Sequence, residues 1–322
     1  MARYRRVTFD GDGDEWRRAW LEYRKHGIGG SDAPAVLGMS PYSSPYTVWL
    51  EKTGRVAPKD LSEVESVYWG TQLEDVVAQE YAKRHPDMHV RRARCVFESI
   101  ERPWQFATVD RTLRTPDGKR GVLEIKTCGA RRAHDWDFGM PDYYIAQPTH
   151  YLAVTGYDFF DVAVLIGGQE YREFHYGRDL DDIGSLVERE AAFWEEYVEK
   201  DVPPMLTGMD CDTEAVRMQF PTDDGEFLEM VDEDLPDVAK CIAKRELARQ
   251  YEREAREIEN QLKQIIGNSR GIITPNRKIT WVRSSYTAFD RKALQEEQPE
   301  VYERYCETRE RDGGVRIREK EL

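Results

Sequence analysis

The chain of 322 residues has a formal net charge of −14 at pH 7, from 47 basic and 61 acidic side chains. No stretch approaches the ~20 apolar residues of a membrane span, and no apolar segment follows the N-terminal run 1–6, which argues against a signal peptide. Five scattered cysteines without metal-ligand spacing favour reduced thiols in a cytoplasmic protein over a zinc or iron–sulfur site.

The charge is unevenly distributed along the chain. Residues 1–132 hold 23 Lys and Arg against 19 Asp and Glu, whereas the remaining 190 residues hold 24 against 42. The basic residues of the first part lie in short runs: Arg5-Arg6, Arg17-Arg18, Arg24-Lys25, Arg91-Arg92 with Arg94, and Arg131-Arg132. This pattern predicts either a basic channel for phosphates on an acidic exterior or a set of solvated arginines on helix faces.

The first part of the chain reads as helices around a glycine-rich turn. A helix over 14–26 is followed by the turn 27–32, whose free N–H groups would suit an anion. The turn matches neither a P-loop nor a dinucleotide-binding fingerprint. Two further helices are predicted, one from Ser44-Pro45 to Gly54 and one over 64–84 that carries Glu74.

Strands and helices follow in the middle of the chain. Strands are predicted near 88–98, 104–113, 121–128, 158–166 and 169–176. Helices are predicted over about 141–156 and 179–200, and Pro148 should kink the first of them or leave one carbonyl unpaired. We place a core domain over residues 1–200.

The C-terminal part has a different character. Residues 201–235, rich in Pro, Gly and Asp, read as a linker, and 236–322 as a helical arm with a small β/α extension packed on the core. The arm begins with a charged helix over 236–267, then a strand over 279–282 and short helices over 290–309. The first helix carries apolar residues at heptad spacing, and either stabilises this chain or its trimer, or binds another partner.

Asp110, Glu124 and Lys126 are the most informative residues. They lie on two predicted strands, and Asp117-Gly118 between these strands is typical of a hairpin turn. Residues two apart on a strand share a face, so Glu124 and Lys126 point together and Asp110 can join them if the strands pair. Two carboxylates and an ammonium suit Mg²⁺ and a phosphate. The alternative is an exposed hairpin with ordinary charged residues.

Six motifs, in order, resemble the YqaJ-type phage recombinase nucleases, relatives of the lambda-phage exonuclease in the PD-(D/E)xK superfamily. The motifs are Arg24-x-x-Gly27-Ile28-Gly29-Gly30-Ser31-Asp32-Ala33, Leu37-Gly38-x-Ser40-Pro41 with Trp49-Leu50-x-Lys52-Thr53-Gly54, Gly70-x-x-Leu73-Glu74, Asp110, Glu124-x-Lys126, and Gln147-x-x-x-Tyr151 through Thr155-Gly156. The resemblance implies an α/β, restriction-endonuclease-like core, with a mixed central β-sheet flanked by helices.

The resemblance also implies a role for each matching residue. Asp110 and Glu124 would hold the metal with the backbone carbonyl of Ile125, and Glu74 would complete the acidic shell directly or through water. Lys126 would act beside the attacking water, Gln147 would orient the water or the substrate, and Tyr151 would support Gln147. The residues that would contact a DNA phosphate are Arg24, Ser31 and, as a further candidate, Thr108.

The activity implied by the resemblance is Mg²⁺-dependent 5′-to-3′ digestion of one strand from a duplex DNA end, with two ions expected and with Mn²⁺ able to substitute. The 3′ strand would pass to a single-strand annealing recombinase, and the chain would form a homo-oligomer, a trimer being favoured, in the cytoplasm of a bacterium or phage-infected host. Two alternatives stay open: an endonuclease on the same core, and a non-cleaving protein that binds DNA ends or another partner.

The chain departs from the family pattern at the hairpin. Asp110 is followed by Arg111 where the family usually has glycine, and the spacing to Glu124 is longer than usual. The longer hairpin brings Arg114, Lys119 and Arg120 into consideration for DNA contact. Neither departure removes a metal ligand that the resemblance implies.

Overall fold

Two sheets organise the N-terminal part of the chain. The computed structural model describes residues 3–11, 13–58 and 64–307, together with residues 315 and 317, and the chain divides into the units Met1–Thr222 and Asp223–Leu322. The strands of the first unit are β1 (Tyr4–Val7), β2 (His89–Arg92), β3 (Val96–Ser99), β4 (Phe106–Ala107), β5 (Arg111–Arg114), β6 (Arg120–Cys128), β7 (Phe159–Ile166) and β8 (Glu170–Gly177).

The described residues form a central sheet of five strands in the order β2-β5-β6-β7-β8. Only β6 and β7 are parallel in it, and the other neighbours are antiparallel, so the sheet is mixed as predicted. The hairpin between β5 and β6 turns at Gly118, whose φ of +91° lies in the region that glycine adopts freely. Gly167 and Gly168 join β7 to β8, also as predicted.

The predicted strands near 88–98 and 104–113 are each divided. In both, the chain leaves one sheet and enters the other, because β3 and β4 pair in a second sheet of order β1-β3-β4 while β2 and β5 pair at the edge of the central sheet. Ile28 holds β4 in place: its N–H donates to the carbonyl of Trp104, at 2.6 Å, and its carbonyl accepts from Phe106. Asp110 therefore lies on the bend that leads into β5, not within a strand.

Helices cover both faces of the central sheet. In chain order they are α1 (Gly13–Arg24), α2 (Ala33–Val36), α3 (Pro45–Lys52), α4 (Glu65–Arg84), α5 (Asp142–Thr155), α6 (Leu180–Phe193) and α7 (Asp210–Gln219). On one face, Val77, Ala78 and Tyr81 of α4 pack against Leu123 and Ile125 of β6. On the other face, α5 and α6 pack over the alternate residues of β6 and β7, Val122 and Val162 among them.

The helix ends follow the local sequence. Ser44 caps α3 through the capping box with Thr47, and Gly156 ends α5 with a φ of +69°. The helix α5 runs through Pro148 as a single element, in which the hydroxyl of Thr149 donates to the carbonyl of Ile145 at 2.9 Å. Helix α6 continues into a π-helical turn, Trp194–Val198, which completes the helix predicted over 179–200.

The predicted linker over 201–235 differs from the structure in its first part, because α7 lies there and belongs to the first unit. Asp212 of α7 is 2% exposed and accepts hydrogen bonds from Ser44 and from Thr207. Ala215 packs in the cluster around Trp49 of α3. The Pro, Gly and Asp content predicts a linker. Composition carries no information about these long-range contacts, so it did not indicate α7.

The second unit contains the long helix α8 (Val238–Ile266), as predicted, and a hairpin of β9 (Gly271–Ile273) with β10 (Lys278–Thr280). Two short helices, α9 (Arg291–Glu297) and α10 (Pro299–Tyr305), match the predicted segment 290–309, of which residues 308 and 309 lie outside the described residues. Among the described residues of both units, no helix has the length and apolarity needed to cross a bilayer.

Candidate active site

The pairing of β5 with β6 places Asp110 opposite Glu124. Arg111 is paired with Leu123, and the next position outward in an antiparallel ladder joins Asp110 to Glu124 on one face of the sheet. The side chain of Asp110 is also held by the backbone of β6, because its Oδ2 accepts from the N–H of Ile125 at 2.8 Å. The two carboxylates that the sequence singled out are thus neighbours across two strands.

Glu124 is buried, and one of its two carboxylate oxygens is paired with a cation. It is 2% exposed, and its Oε1 lies 2.6 Å from Nζ of Lys126, two residues along the same strand face. Its Oε2 has no donor within hydrogen-bond distance among the residues that the structure describes, although the hydroxyl of Tyr151 lies close enough to act on the same carboxylate. Burying an unpaired carboxylate oxygen is costly, so such an atom in a folded protein calls for a ligand or a functional reason.

The pKa of the Asp110 carboxyl group reflects its burial beside other carboxylates. Burial raises the pKa of its carboxyl group well above the ordinary value, and the charges of Glu124 and Glu74 raise it further. The N–H of Ile125 and the ammonium of Lys126 oppose this rise only in part. The cluster therefore has an excess of negative charge, which a divalent cation would relieve.

The donor set fits a hard cation that keeps part of its water shell. Among the residues described, no three His, Cys, Asp or Glu side chains converge with metal-binding geometry. Asp110 and Glu124 are two carboxylates, and the backbone carbonyl of Ile125 is the third oxygen that the resemblance implies. Mg²⁺ is usually bound by one or two carboxylates and completes its shell with water and substrate phosphate, so these donors are sufficient.

Helix α5 contributes the next two residues in a continuous hydrogen-bonded chain. Oε1 of Gln147 accepts from Nζ of Lys126 at 3.0 Å, and Nε2 of Gln147 donates to the hydroxyl of Tyr151 at 2.7 Å. Burial raises the pKa of Tyr151 well above its usual range, and the nearby carboxylates of Glu124 and Asp110 add to the rise. Tyr151 is therefore a neutral phenol at neutral pH, and its hydroxyl oxygen accepts from Gln147.

Glu74, which the resemblance expects to complete the acidic shell directly or through water, is held by an arginine. Its Oε1 lies 2.6 Å from Nη1 of Arg111, and Arg111 also donates to Asp75 of the same helix and to the backbone carbonyl of Asp110. The charge of Glu74 still acts on Asp110. Arg111 was noted in the sequence only as a departure from the family pattern, since no local signal shows which carboxylates it pairs with.

The glycine-rich turn forms a second polar cluster. Arg24 lies 3.4 Å from the hydroxyl of Ser31, which is exposed, and 2.6 Å from Oδ1 of Asp32. Lys52 of α3 contacts Oδ2 of Asp32 at 2.6 Å and the carbonyl of Arg24 at 2.8 Å. Burial alone would raise the pKa of Asp32, but the charges of Lys52 and Arg24 outweigh it and hold that pKa well below its usual range.

Sequence reasoning named Arg24 and Ser31 but missed the roles of Asp32 and Lys52. Both stand in motifs that had been noted, and the signal that could have found them is the pairing of an acid and a base in two glycine-flanked segments. Lys52 is 7% exposed and Asp32 is 5% exposed, so their buried ion pair attaches the glycine-rich turn to α3. The hydroxyl of Ser31 and the guanidinium of Arg24 are left at the surface side of this pair.

The two clusters lie next to each other. Gly30 packs against the ring of Tyr151 so closely that a Cβ at Gly30 would stand 2.2 Å from Cε1 of Tyr151. Thr108 accepts a hydrogen bond from the indole of Trp20 at 3.3 Å, and the Arg24 guanidinium lies 5.1 Å from the centroid of the same indole. Arg24, Ser31 and Thr108 thus border the site that Asp110, Glu124 and Lys126 form.

Arg114, Lys119 and Arg120 stand at the other end of the hairpin. All three are exposed, and the guanidinium of Arg120 lies over the ring of Tyr157, 4.8 Å from its centroid. Arg114 ends β5, Lys119 lies in the turn and Arg120 starts β6, whereas Glu124 and Lys126 lie nearer the other end of β6. Any contact they make with a ligand is therefore separate from the carboxylate site.

Comparison with known proteins identifies the family. The family model of the YqaJ-like viral recombinase domain matches residues 19–158. The uncharacterized protein YqaJ of Bacillus subtilis (strain 168) is 31% identical over 292 residues, which cover 89% of this chain and 90% of that protein. The chain belongs to the YqaJ-like viral recombinase family.

Two solved structures are more distantly similar to this YqaJ-like chain. An alkaline exonuclease from Laribacter hongkongensis is 16% identical, with a TM-score of 0.47 over 62% of this chain and 99% of that chain. A phage related exonuclease from Haemophilus somnus 129PT is 13% identical, with a TM-score of 0.40 over 54% of this chain and 95% of that chain. Membership of the family rests on the Bacillus subtilis relative and the family model.

The segment that the YqaJ-like family model matches contains both polar clusters, from Arg24 to Tyr151. The resemblance to the YqaJ-type family read from the sequence motifs is confirmed, and so is the predicted mixed central sheet flanked by helices. Of the residues that carry the motifs, the structure brings Asp110, Lys126, Gln147 and Tyr151 together around Glu124.

Proposed function

We propose that the chain is a metal-dependent deoxyribonuclease that digests one strand of a DNA duplex from its end, in the 5′-to-3′ direction. The observation that carries this proposal is the buried Glu124, which is bonded to Lys126 on one side, faces Asp110, and keeps one carboxylate oxygen without a hydrogen-bond donor among the described residues. Buried polar atoms without a partner are uncommon in folded proteins, and each calls for an explanation such as a bound ion.

The proposal includes a divalent cation, Mg²⁺ with Mn²⁺ able to replace it, held by Asp110, Glu124 and the carbonyl of Ile125. When bound, such a cation supplies charge stabilisation at the phosphoryl group and makes water a better nucleophile. The excess of negative charge around Asp110 supports this assignment. Membership of the YqaJ-like family supports DNA as the substrate.

Hydrolysis of a phosphodiester adds water across one P–O bond. Oxygen of the water joins phosphorus, the bond to the leaving 3′ oxygen breaks, and one proton ends on that oxygen. Lys126 is placed to stabilise the negative charge that develops on the phosphoryl oxygens, since preorganised cations in a water-poor site are effective there. Gln147 holds Nζ of Lys126 by its carbonyl oxygen and is itself oriented by Tyr151.

The second cluster would bind the phosphate at the DNA end. Exposed Ser31 and the guanidinium of Arg24 supply donors, and the Asp32–Lys52 pair positions both. Since Gly30 touches Tyr151, a phosphate held at this turn would lie beside the carboxylates. An enzyme that binds the terminal phosphate of a strand next to its cleavage site removes nucleotides from that end of the DNA.

We further propose that the chain acts as a homo-oligomer, a trimer being favoured, and passes the 3′ strand to a single-strand annealing recombinase in the cytoplasm of a bacterium or phage-infected host. Family membership supports this role. On α8, the apolar residues at heptad spacing, Tyr251, Ile258 and Ile265, are more than half exposed, which fits a helix that packs on a further chain. Light scattering of the purified chain tests the trimer.

The activity is tested with linear duplexes labelled separately at each 5′ and 3′ end, beside a closed circular duplex, in Mg²⁺. The expected result is early release of the 5′ label, late release of the 3′ label and an intact circle. Cleavage of the circle would favour the endonuclease alternative. End binding without any degradation, unchanged in Glu124→Gln, would favour the non-cleaving alternative.

A further inference from the structure

Arg111 is a buried cation in direct contact with the candidate active site. It is 4% exposed, follows Asp110 in the chain, and starts β5. Its Nη1 lies 2.6 Å from Oε1 of Glu74 and 2.7 Å from the backbone carbonyl of Asp110, and its Nη2 donates to Asp75. A guanidinium is buried only when its donors are paired, and here its partners are α4 and the residue that carries the first carboxylate of the site.

These contacts divide the acidic residues near the site into two pairs. Glu74 and Asp75 are bound to Arg111, whereas Asp110 and Glu124 face each other, with Lys126 against Glu124 only. The buried oxygen without a donor belongs to Glu124, whereas Glu74 is 24% exposed and has its Oε1 on Arg111. A ligand that enters the site therefore meets one open carboxylate pair.

The charges lead to the same division. Arg111, together with Arg92 at 3.5 Å from Asp75, balances Glu74 and Asp75. Asp110 and Glu124 have Lys126 alone, so the uncompensated negative charge lies on the pair that would hold the ion. A second divalent ion would have to compete with Arg111 for Glu74. Displacing a buried guanidinium from two carboxylates would leave it unpaired, which is strongly unfavourable.

We infer that the guanidinium of Arg111 occupies the place of a second metal ion. Each chain then binds a single divalent ion at Asp110 and Glu124, and Glu74 stays bound to Arg111. This inference rests on the proposed metal-dependent function and replaces the expectation of two ions. In it, Arg111 and Glu74 are positioning residues. They join α4 to the bend that carries Asp110.

The test is the number of Mn²⁺ ions bound per full-length chain, measured by electron paramagnetic resonance of free Mn²⁺ and by calorimetry. We expect one ion for the wild type and for Arg111→Lys, which keeps the charge. In Glu74→Gln we expect one ion with an affinity within about tenfold of the wild type. In Arg111→Gln, which releases Glu74, we expect a second ion, and the double variant Arg111→Gln with Glu74→Gln should return to one.

The outcomes separate the inference from the proposed function. Two ions in the wild type, or loss of the ion in Glu74→Gln, would overturn the role of Arg111 and leave a metal-dependent nuclease. No ion in the wild type would overturn both. If Arg111→Gln does not fold, the wild-type count and the Glu74→Gln affinity still decide the question, because both keep Arg111 and its ion pair with Asp75.

Discussion

Gly30 and Tyr151 are in contact across the candidate active site, with no room for a side chain on Gly30. A Cβ there would meet Cε1 of Tyr151 at 2.2 Å and Cζ at 2.9 Å. Tyr151 is 3% exposed and belongs to the hydrogen-bonded chain that reaches Lys126 through Gln147. The turn that carries Ser31 therefore contacts α5, and α5 is bonded through Gln147 to Lys126 of β6.

The first prediction is that Gly30→Ala weakens both clusters. The added methyl group must push Tyr151 away, and overpacking of this kind typically destabilises a protein by about 1–3 kcal/mol. We expect a lower melting temperature and a loss of nuclease activity greater than the loss of stability explains. Gly208→Ala is the matched control, because a Cβ there meets nothing within 4 Å, and wild-type activity of both variants would contradict the coupling.

The second prediction concerns Lys126. Its replacement by alanine should lower kcat by about 10²–10³-fold, the range seen when one preorganised donor is removed from a charged transition state. The same change leaves Glu124 buried without a cation, which should destabilise the fold by roughly 3–5 kcal/mol. Adding Glu124→Gln should restore stability but not activity.

Melting curves and single-turnover rates of the two Lys126 variants provide the measurement. Lys83→Ala, at an exposed position of α4, is the control and should behave as the wild type. If Lys126→Ala retains wild-type turnover, Lys126 has no part in the chemistry.

The third prediction is that Asp110→Asn stabilises the metal-free protein. Asn keeps an oxygen that accepts from the N–H of Ile125 and removes a charge that faces Glu124. A gain of 1 kcal/mol corresponds to roughly 2–4 °C in melting temperature for a domain of this size. The variant should also lose the thermal stabilisation that Mg²⁺ gives the wild type.

Thermal melts with and without Mg²⁺ test this, with Asp87→Asn in the exposed turn before β2 as the control. A melting temperature of Asp110→Asn that still rises with Mg²⁺ as in the wild type would place the ion elsewhere.

The fourth prediction concerns the DNA end. Arg24→Ala and Ser31→Ala should slow digestion of 5′-phosphorylated ends more than digestion of hydroxyl ends, because each removes a donor to the terminal phosphate. Ser31→Ala is the cleaner variant, since Ser31 is exposed whereas Arg24 also pairs with buried Asp32. Equal losses on both kinds of end would remove these residues from phosphate recognition.

Much of the molecule follows from local patterns in the chain. The helix ends at Ser44 and Gly156, the hairpin at Gly118 and the shared strand face of Glu124 and Lys126 all agree with the structure. These features depend on capping residues, on glycine at positive φ and on strand periodicity, each of which involves residues a few positions apart. The order of motifs was also sufficient to identify the family.

Other features were decided only by long-range packing. The chain changes sheets at 93–95 and 108–110, α7 lies where a linker was expected, and Arg111 holds Glu74 and Asp75. In a chain of 322 residues, an arginine can pair with any carboxylate that the fold brings near to it. Its neighbours in the sequence do not indicate which carboxylate that is. Burial and strand register select the partner, because only the folded chain sets which charges lose their water together.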